Sequence, residues 1–249
     1  MGAFIGQNAE LTGNVVAWVK KVAKVPVVVK LTPNVSDIAF IAQAAKDNGA
    51  DALCTVNTVS GLMGVDLETL TPTPAIGGLS TYGGYSGPGI KPIALRCVAQ
   101  IAKATGLPVS GLGGLSYWQD AVEFMAVGAS TVQVGTTVMW KGYGIVEALL
   151  QGLNDYLDDK GFTRVTEIIG AALPKIVEFP EMPLAPRARA SVDDTCNGCL
   201  LCVVACADGG FQAISGVKGE VVTIDSDLCD GCSLCMMVCP LSSITMTPR

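Results

Sequence analysis

Apolar side chains recur at helical spacing from residue 8 to residue 24, at Leu11, Val15, Trp18, Val19 and Val22. That period predicts an amphipathic helix, stopped by Pro26. Val25 to Lys30 is a continuous apolar run closing in Leu31-Thr32-Pro33-Asn34. It predicts a buried parallel strand and its C-terminal loop. Ser36 or Asp37 caps a second helix running to about Asn48, where Gly49 ends it. Ala50 to Val56 is the next strand, ending in Asn57-Thr58-Val59-Ser60-Gly61. A long loop rich in Gly, Thr and Pro covers Thr69 to Gly89. Helices are predicted over Pro92–Thr105, Trp118–Val127 and residues 144–160. Strands are predicted over Leu107–Ser110, running into Gly111-Leu112-Gly113-Gly114, and over Thr131–Val134, running into Gly135-Thr136-Thr137.

Strand and helix alternate throughout this part, which is the signature of βα units on a parallel sheet. The Gly-rich and polar residues all fall where strands end. In a (β/α)8 TIM barrel that edge is the active-site face, and its last two loops commonly hold a phosphate. Gly113-Gly114 and Gly135-Thr136 suit that role, because backbone N–H groups approach a phosphate closely only where no side chain intervenes. Ordinary tight turns are the alternative for these glycines. Only four strands are countable where a barrel needs eight. The predicted fold is therefore α/β, the C-terminal half of a TIM barrel with about four βα units over residues 1–178. A lone four-stranded sheet leaves two bare edges. The expectation is that a second chain, or the rest of a longer protein, completes it.

Residues 179–190 carry Pro and Arg without a period, which predicts a linker. Beyond it, Cys196-x-x-Cys199-x-x-Cys202-x-x-x-Cys206 is followed by Cys229-x-x-Cys232-x-x-Cys235-x-x-x-Cys239-Pro240. This is the spacing of a bacterial 2[4Fe–4S] ferredoxin, in which the fourth Cys of each run ligates the other cluster. Cys196, Cys199 and Cys202 are thus expected to share a cluster with Cys239, and Cys229, Cys232 and Cys235 with Cys206. Zinc and disulfides are the alternatives. Eight cysteines crowded at this spacing cannot all find disulfide partners, and only Cys54 and Cys97 lie elsewhere. The α+β ferredoxin-like domain is expected over residues 191–249. It is internally duplicated: Asp193 to Cys206 echoes Asp225 to Cys239, and Ile214 echoes Ile244. So small a domain has too little core to fold without its clusters. Ala207 departs from the pattern, since Pro often follows the fourth Cys.

Composition narrows the function classes. The net charge is −6 and histidine is absent. That removes catalytic, zinc-binding and haem-binding His, and the lack of a basic stripe argues against nucleic acid. Half the residues are apolar, but no uninterrupted apolar stretch reaches the length of a membrane span. The first ten residues show neither a basic region nor a long apolar one, so no signal peptide is expected. Iron–sulfur clusters with free Cys54 and Cys97 suit a reducing cytoplasm. Those two thiols are expected to be small buried hydrophobes.

Four longer motifs add a resemblance: Lys30 to Asn34, Asn57 to Gly64, Tyr82-Gly83-Gly84-Tyr85-Ser86-Gly87 and Lys91-Pro92-Ile93-Ala94-Leu95-Arg96. With the ferredoxin tail, the chain resembles the C-terminal part of the flavin- and iron–sulfur-carrying subunit of dihydropyrimidine dehydrogenases, relatives of the dihydroorotate dehydrogenases. The resemblance implies an FMN-binding barrel, two [4Fe–4S] clusters and reduction of uracil or thymine to the 5,6-dihydropyrimidine. The electrons would come from NAD(P)H, oxidised by a separate FAD-containing region or subunit. It implies that Lys30 contacts the flavin ring, that Asn57 and Thr58 bind the pyrimidine at the flavin face, and that Ser86 and Gly87 line the flavin. Gly113, Gly114, Gly135 and Thr136 would hold its phosphate. A Cys acid that the family carries on a loop ahead of the first helix has no counterpart in residues 1–7, so no catalytic proton donor is assigned. The competing expectations are an electron-transfer module without catalysis of its own, and a dihydroorotate-type enzyme.

Overall fold

A computed structural model of the chain describes residues 2–182 and 188–248. Met1 and residues 183–187, within the expected 179–190 linker, lie outside the described residues. The chain divides into two compact units, Met1–Ile176 and Val177–Arg249.

In the first unit, a short helix α1 (Gly2–Ile5) precedes α2 (Ala9–Val22). Asn8 caps α2, its Oδ1 accepting the Leu11 N–H at 2.9 Å. The buried face of α2 is Thr12, Gly13 and Val16, packed on α3 (Ile38–Asp47). The predicted apolar stripe of Val15, Trp18, Val19 and Val22 is exposed instead. Small residues let the two helix backbones approach closely, and that contact decides which face is covered. Asp37 caps α3 through the Phe40 N–H at 3.1 Å.

Strand β1 (Val28–Leu31) precedes α3, and β2 (Ala52–Thr55) follows it. The expected long loop contains two short antiparallel ladders. β3 (Val59–Gly61) pairs with β6 (Gly83–Tyr85), and β4 (Gly64–Asp66) pairs with β5 (Thr71–Thr73). Three-residue strands are too short to show a period of two, so the sequence concealed them. The turn between β4 and β5 is held by Asp66, whose Oδ1 accepts the N–H groups of Glu68 and Thr69 at 3.0 and 2.9 Å.

The remaining elements are α4 (Lys91–Thr105), β7 (Val109–Leu112), α5 (Trp118–Ala126), β8 (Ala129–Gln133), α6 (Thr136–Lys141) and α7 (Ile145–Lys160). The six-residue α6 was not predicted. The main sheet has the order β1-β2-β7-β8 and every pairing is parallel. One face carries Leu31, Leu53, Thr55 and Val109, all buried against the helices, with Phe124, Ile101 and Val98 fully buried beside them. The other face carries Lys30, Cys54, Ser110 and Thr131 in one register row.

An ion pair locks two of the loops at the strand ends. Asp120, with an 8% exposed side chain, accepts Lys91 Nζ at 2.6 Å and the N–H groups of Ser116 and Tyr117 at 2.7 and 2.9 Å. Lys91 also reaches Glu123 at 2.8 Å. The start of α4 is thus tied to the turn after β7.

The second unit pairs β9 (Ala188–Val192) with β12 (Ile244–Pro248), both antiparallel. The expected linker therefore ends in strand from Ala188 to Ala190. α8 (Leu201–Asp208), β10 (Ile214–Ser215), β11 (Thr223–Ile224) and α9 (Leu234–Val238) complete the unit, with β10 antiparallel to β11. Its buried cluster includes Ile214, Val222 and Ile244, together with the thiols of Cys202, Cys206 and Cys235. No helix among the described residues is long and apolar enough to cross a membrane.

Burial pushes the Asp120 carboxyl up, but its bonds to Lys91, Ser116 and Tyr117 outweigh that and hold it below the ordinary value. A depressed carboxyl stabilises the fold above the ordinary carboxylate range, and this contribution is lost as pH falls through the depressed value. Asp120→Ala should lower unfolding free energy by about 2 kcal/mol in urea titrations near neutral pH. The difference from the parent should shrink as the solution is acidified below about pH 4.

Candidate functional site

Strands that run parallel and adjacent deliver their C-terminal ends to one edge of the sheet. At that edge lies a cavity of about 260 Å³. Lys30 reaches it from the end of β1, Asn57 and Thr58 from the loop after β2, and Ser86 and Gly87 from the segment before α4. Gly113 and Gly114 enter after β7, and Gly135 and Thr136 after β8. Every barrel residue singled out in the sequence is brought to this one place.

Each loop has its own support. Asn34 spans two of them: its Nδ2 donates to Thr32 Oγ1 and to the Thr58 carbonyl, both at 3.0 Å, and its Oδ1 accepts the Ser60 N–H at 2.8 Å. It buckles the turn after β1 to the turn after β2. Asn57 Oδ1 accepts the N–H of Thr58 at 2.8 Å, which leaves that oxygen a second lone pair. Thr136 Oγ1 donates to Ser86 Oγ at 3.0 Å. Thr137, fully buried, donates to the Leu115 carbonyl at 2.7 Å and fixes the second glycine turn.

The glycine pair is required by packing as well as conformation. Gly113 and Gly114 have φ of +130° and +78°, where side chains are disfavoured. A Cβ on Gly114 would stand 2.8 Å from the Lys91 nitrogen and 2.9 Å from the Gly87 carbonyl oxygen. The two loops therefore touch backbone to backbone. A Cβ on Gly135 would meet nothing within 4 Å.

Lys30 makes no ion pair among the described residues, so its charge is free to face the cavity. Residues that the sequence did not single out extend the site. Gln133 lines the cavity, and its Nε2 donates to Ser110 Oγ at 2.8 Å and to Cys54 Sγ at 3.4 Å. Thr131 Oγ1 donates to the same Ser110 oxygen at 2.8 Å. The signal was present as polar residues at alternating positions of β8. Burial pushes the Cys54 thiol up, with Lys30 and the Gln133 bond opposing it. Cys97 is fully buried in the core. A free cation, glycine-opened backbone and an amide pair beside it suit a planar, hydrogen-bonding ligand that carries an anionic group.

The second unit holds two further cavities. Cys196, Cys199, Cys202 and Cys239 line one small pocket. Cys206, Cys229, Cys232 and Cys235 line the other. All eight thiols are free. Among the described residues no three of them converge on an ion-sized point. The Cys run alone does not place Cys239 beside Cys196. Helix α8 carries Cys206 away from its own run, and α9 does the same for Cys239. Burial raises the thiols of Cys202 and Cys235. Burial also pushes the Cys239 thiol up, but the N–H groups of Leu241, Ser243 and Ile244 and the Ser243 hydroxyl outweigh it and leave it below the ordinary value. Four thiolates around each cavity fit the donor set of a [4Fe–4S] cluster.

Residues 190–246 match the model of a 4Fe-4S dicluster domain. The NAD-dependent dihydropyrimidine dehydrogenase subunit PreA of Escherichia coli (strain K12) is 39% identical over 218 residues, which is 86% of this chain and 53% of that protein. The catalytic subunit of dihydroorotate dehydrogenase B (NAD(+)) of Pyrococcus abyssi is 45% identical over 172 residues, 69% of this chain and 56% of the relative. The chloroplastic dihydropyrimidine dehydrogenase (NADP(+)) of Arabidopsis thaliana is 40% identical over 179 residues, 70% of this chain and 42% of the relative. The chain spans about half the length of the curated relatives it matches. Residues 2–157 match the family model described as dihydroorotate dehydrogenase. With a strand-end cavity on a parallel sheet, and an iron–sulfur domain following it in the sequence, the chain belongs to the dihydroorotate dehydrogenase family.

Proposed function

We propose that this chain is the cofactor-bearing part of an iron–sulfur flavoprotein oxidoreductase that reduces uracil or thymine to the 5,6-dihydropyrimidine. The observation that carries the reading is the strand-end cavity, where Lys30, Asn57, Thr58 and the four glycines of the last three loops meet. FMN bound there would supply hydride chemistry, and [4Fe–4S] clusters in the thiol cavities would carry single electrons delivered from NAD(P)H by an FAD-containing partner.

The chain's own residues have distinct parts in this reading. Lys30 sets a fixed positive charge beside the flavin ring, favouring its anionic form. Asn57 offers an N–H donor and a spare acceptor lone pair to a pyrimidine edge, and the bond to Thr58 holds it in place. Ser86 and Gly87 line the ring. Gly113, Gly114, Gly135 and Thr136 leave room for phosphate oxygens. Cys196, Cys199, Cys202 and Cys239 hold one cluster, and Cys206, Cys229, Cys232 and Cys235 the other. Among the described residues no carboxylic acid or thiol lines the cavity, and the proton donor to the base is assigned to a segment other than those lining it here.

The first unit also invites completion. β1 and β8 each pair on one side only. The sheet face bearing Lys30, Ser110 and Thr131 is polar, and α2 shows solvent its most apolar stripe. We assign the remaining barrel strands to another segment of the same protein or to a partner chain. A dihydroorotate-type reaction is favoured by the 45% identity over 172 residues with a dihydroorotate dehydrogenase catalytic subunit. The pyrimidine reductase reading is favoured by an alignment that runs on into the iron–sulfur domain.

Anaerobically purified chain should carry about eight irons, as two [4Fe–4S] clusters require. Flavin should bind stoichiometrically only when the other barrel half is supplied in trans. Stoichiometric iron with no flavin even after complementation would favour a bare electron-transfer module. In the complemented protein, Lys30→Ala should weaken FMN binding about tenfold, or about 1.4 kcal/mol, in a flavin-fluorescence titration. Stripping the clusters should unfold residues 188–248, seen as proteolysis confined to that unit, because so few apolar side chains are buried there.

A further inference from the structure

The two halves of the iron–sulfur unit repeat one another, and each position of one half is a control for the other. Asp193 N–H donates to the Ser243 carbonyl at 3.0 Å, and Asp225 N–H donates to the Ala213 carbonyl at 2.7 Å. Val192 pairs with Ile244, and Ile224 with Ile214, one residue along in each case. Leu200 and Ser233 share the left-handed conformation at φ of 68° and 67°. These equivalences place Ser243 opposite Ala213. They also place Asn197, which follows Cys196, opposite Asp230, which follows Cys229.

Both mismatches lie on the cavity walls, as does a third, Leu200 opposite Ser233, whose hydroxyl donates to the Gly231 carbonyl at 3.4 Å and not to a thiol. Ser243 and Asn197 line the cavity of Cys196, Cys199, Cys202 and Cys239. Ala213 and Asp230 line the other. In the second cavity the Ala213 N–H donates to Cys206 Sγ at 3.2 Å and the Ala190 N–H to Cys229 Sγ at 3.5 Å, and Ala213 has no side-chain donor to add. At the equivalent place in the first cavity, Ser243 brings a hydroxyl as well. Ser243 is 1% exposed, and its Oγ sits 2.8 Å from Thr195 Oγ1, which fixes its rotamer beside Cys239. Where the first cavity has the neutral amide of Asn197, the second has the carboxylate of Asp230. Arg189, next to the wall residue Ala190, is paired with Asp227 at 3.5 Å, so its charge is offset at the second cavity.

An added electron makes a cluster more negative. A hydrogen bond to a ligating sulfur stabilises that state, and a nearby carboxylate opposes it. The two differences act in the same direction. We infer that the two clusters are held at unequal potentials, with the cluster of Cys196, Cys199, Cys202 and Cys239 the higher, and that Ser243 and Asn197 against Ala213 and Asp230 set the gap. Between the clusters one electron then passes downhill, from the Cys206, Cys229, Cys232 and Cys235 cluster to the other. The first is oxidised by one electron, the second is reduced by one, and no bond, proton or atom is exchanged. Ser243, Asn197 and Asp230 are positioning residues, acting through the cluster environment. The inference rests on the cluster assignment above and not on the identity of the substrate.

The test is a dithionite titration of the full chain, anaerobically reconstituted and followed by electron paramagnetic resonance. The parent should show two one-electron waves. Ser243→Ala should lower the higher one by about tenfold in its reduction equilibrium, about 59 mV, and leave the other in place. N197D should lower the same wave, and D230N should raise the lower one. Asn197 and Asp230 are exposed, so those variants keep the test open if Ser243→Ala loads poorly. A shift of the wrong wave, or no shift in fully loaded variants, overturns the inference. A parent chain without iron and sulfide overturns the cluster assignment beneath it, and metal content separates the two failures.

Discussion

Parallel pairing of β1, β2, β7 and β8 in consecutive order is the constraint on which the first unit depends. Strands so arranged must send all their C-terminal ends to one edge, and each return crossing must be a helix on the other face. Residues far apart in the chain, from Lys30 to Thr136, then meet without any contact planned between neighbours in sequence. What remains is to hold the loops still. Asn34 does so between the first two strands, the Lys91–Asp120 pair between α4 and the third, and Thr137 between the third and fourth. Gly114 is where these supports converge, because its missing Cβ lets the Lys91 and Gly87 backbones close on the turn.

The second unit is organised by a different economy. Its buried cluster counts thiols among its apolar members, so the interior is made of groups that become ligands. The two cavities are related by duplication, yet their walls differ at several paired positions. Duplication explains the shared fold. Divergence at Ser243 and Asn197 makes the two sites chemically unlike.

The sheet's two faces also differ in kind. The helix-facing side is filled by Leu31, Leu53, Val109 and Phe124. The opposite side is lined with Lys30, Ser110, Thr131 and Gln133, and the last two donate across strands to the Ser110 hydroxyl. A polar ladder of this sort is the inner wall of a barrel rather than a dry core, and the open strand edges beside it agree with that role.

The sequence by itself determined the class of fold, the order of strands and helices, and the chemistry of the second unit. Helical and strand periods, a capping residue such as Asp37, and Cys spacing are all local properties. It also marked Lys30, Asn57, Gly113 and Gly135 as strand-end residues, since polar and glycine positions after apolar runs are visible in one dimension. Only the tertiary structure decided which face of α2 is covered, because close helix approach favoured Thr12 and Gly13 over the more apolar stripe. It alone revealed the ladders of three residues between Val59 and Tyr85, too short to leave a period. It alone showed Gln133 on the cavity wall and Ser243 against Cys239. Those contacts join residues distant in the chain, and they follow from register and packing, which no local pattern records.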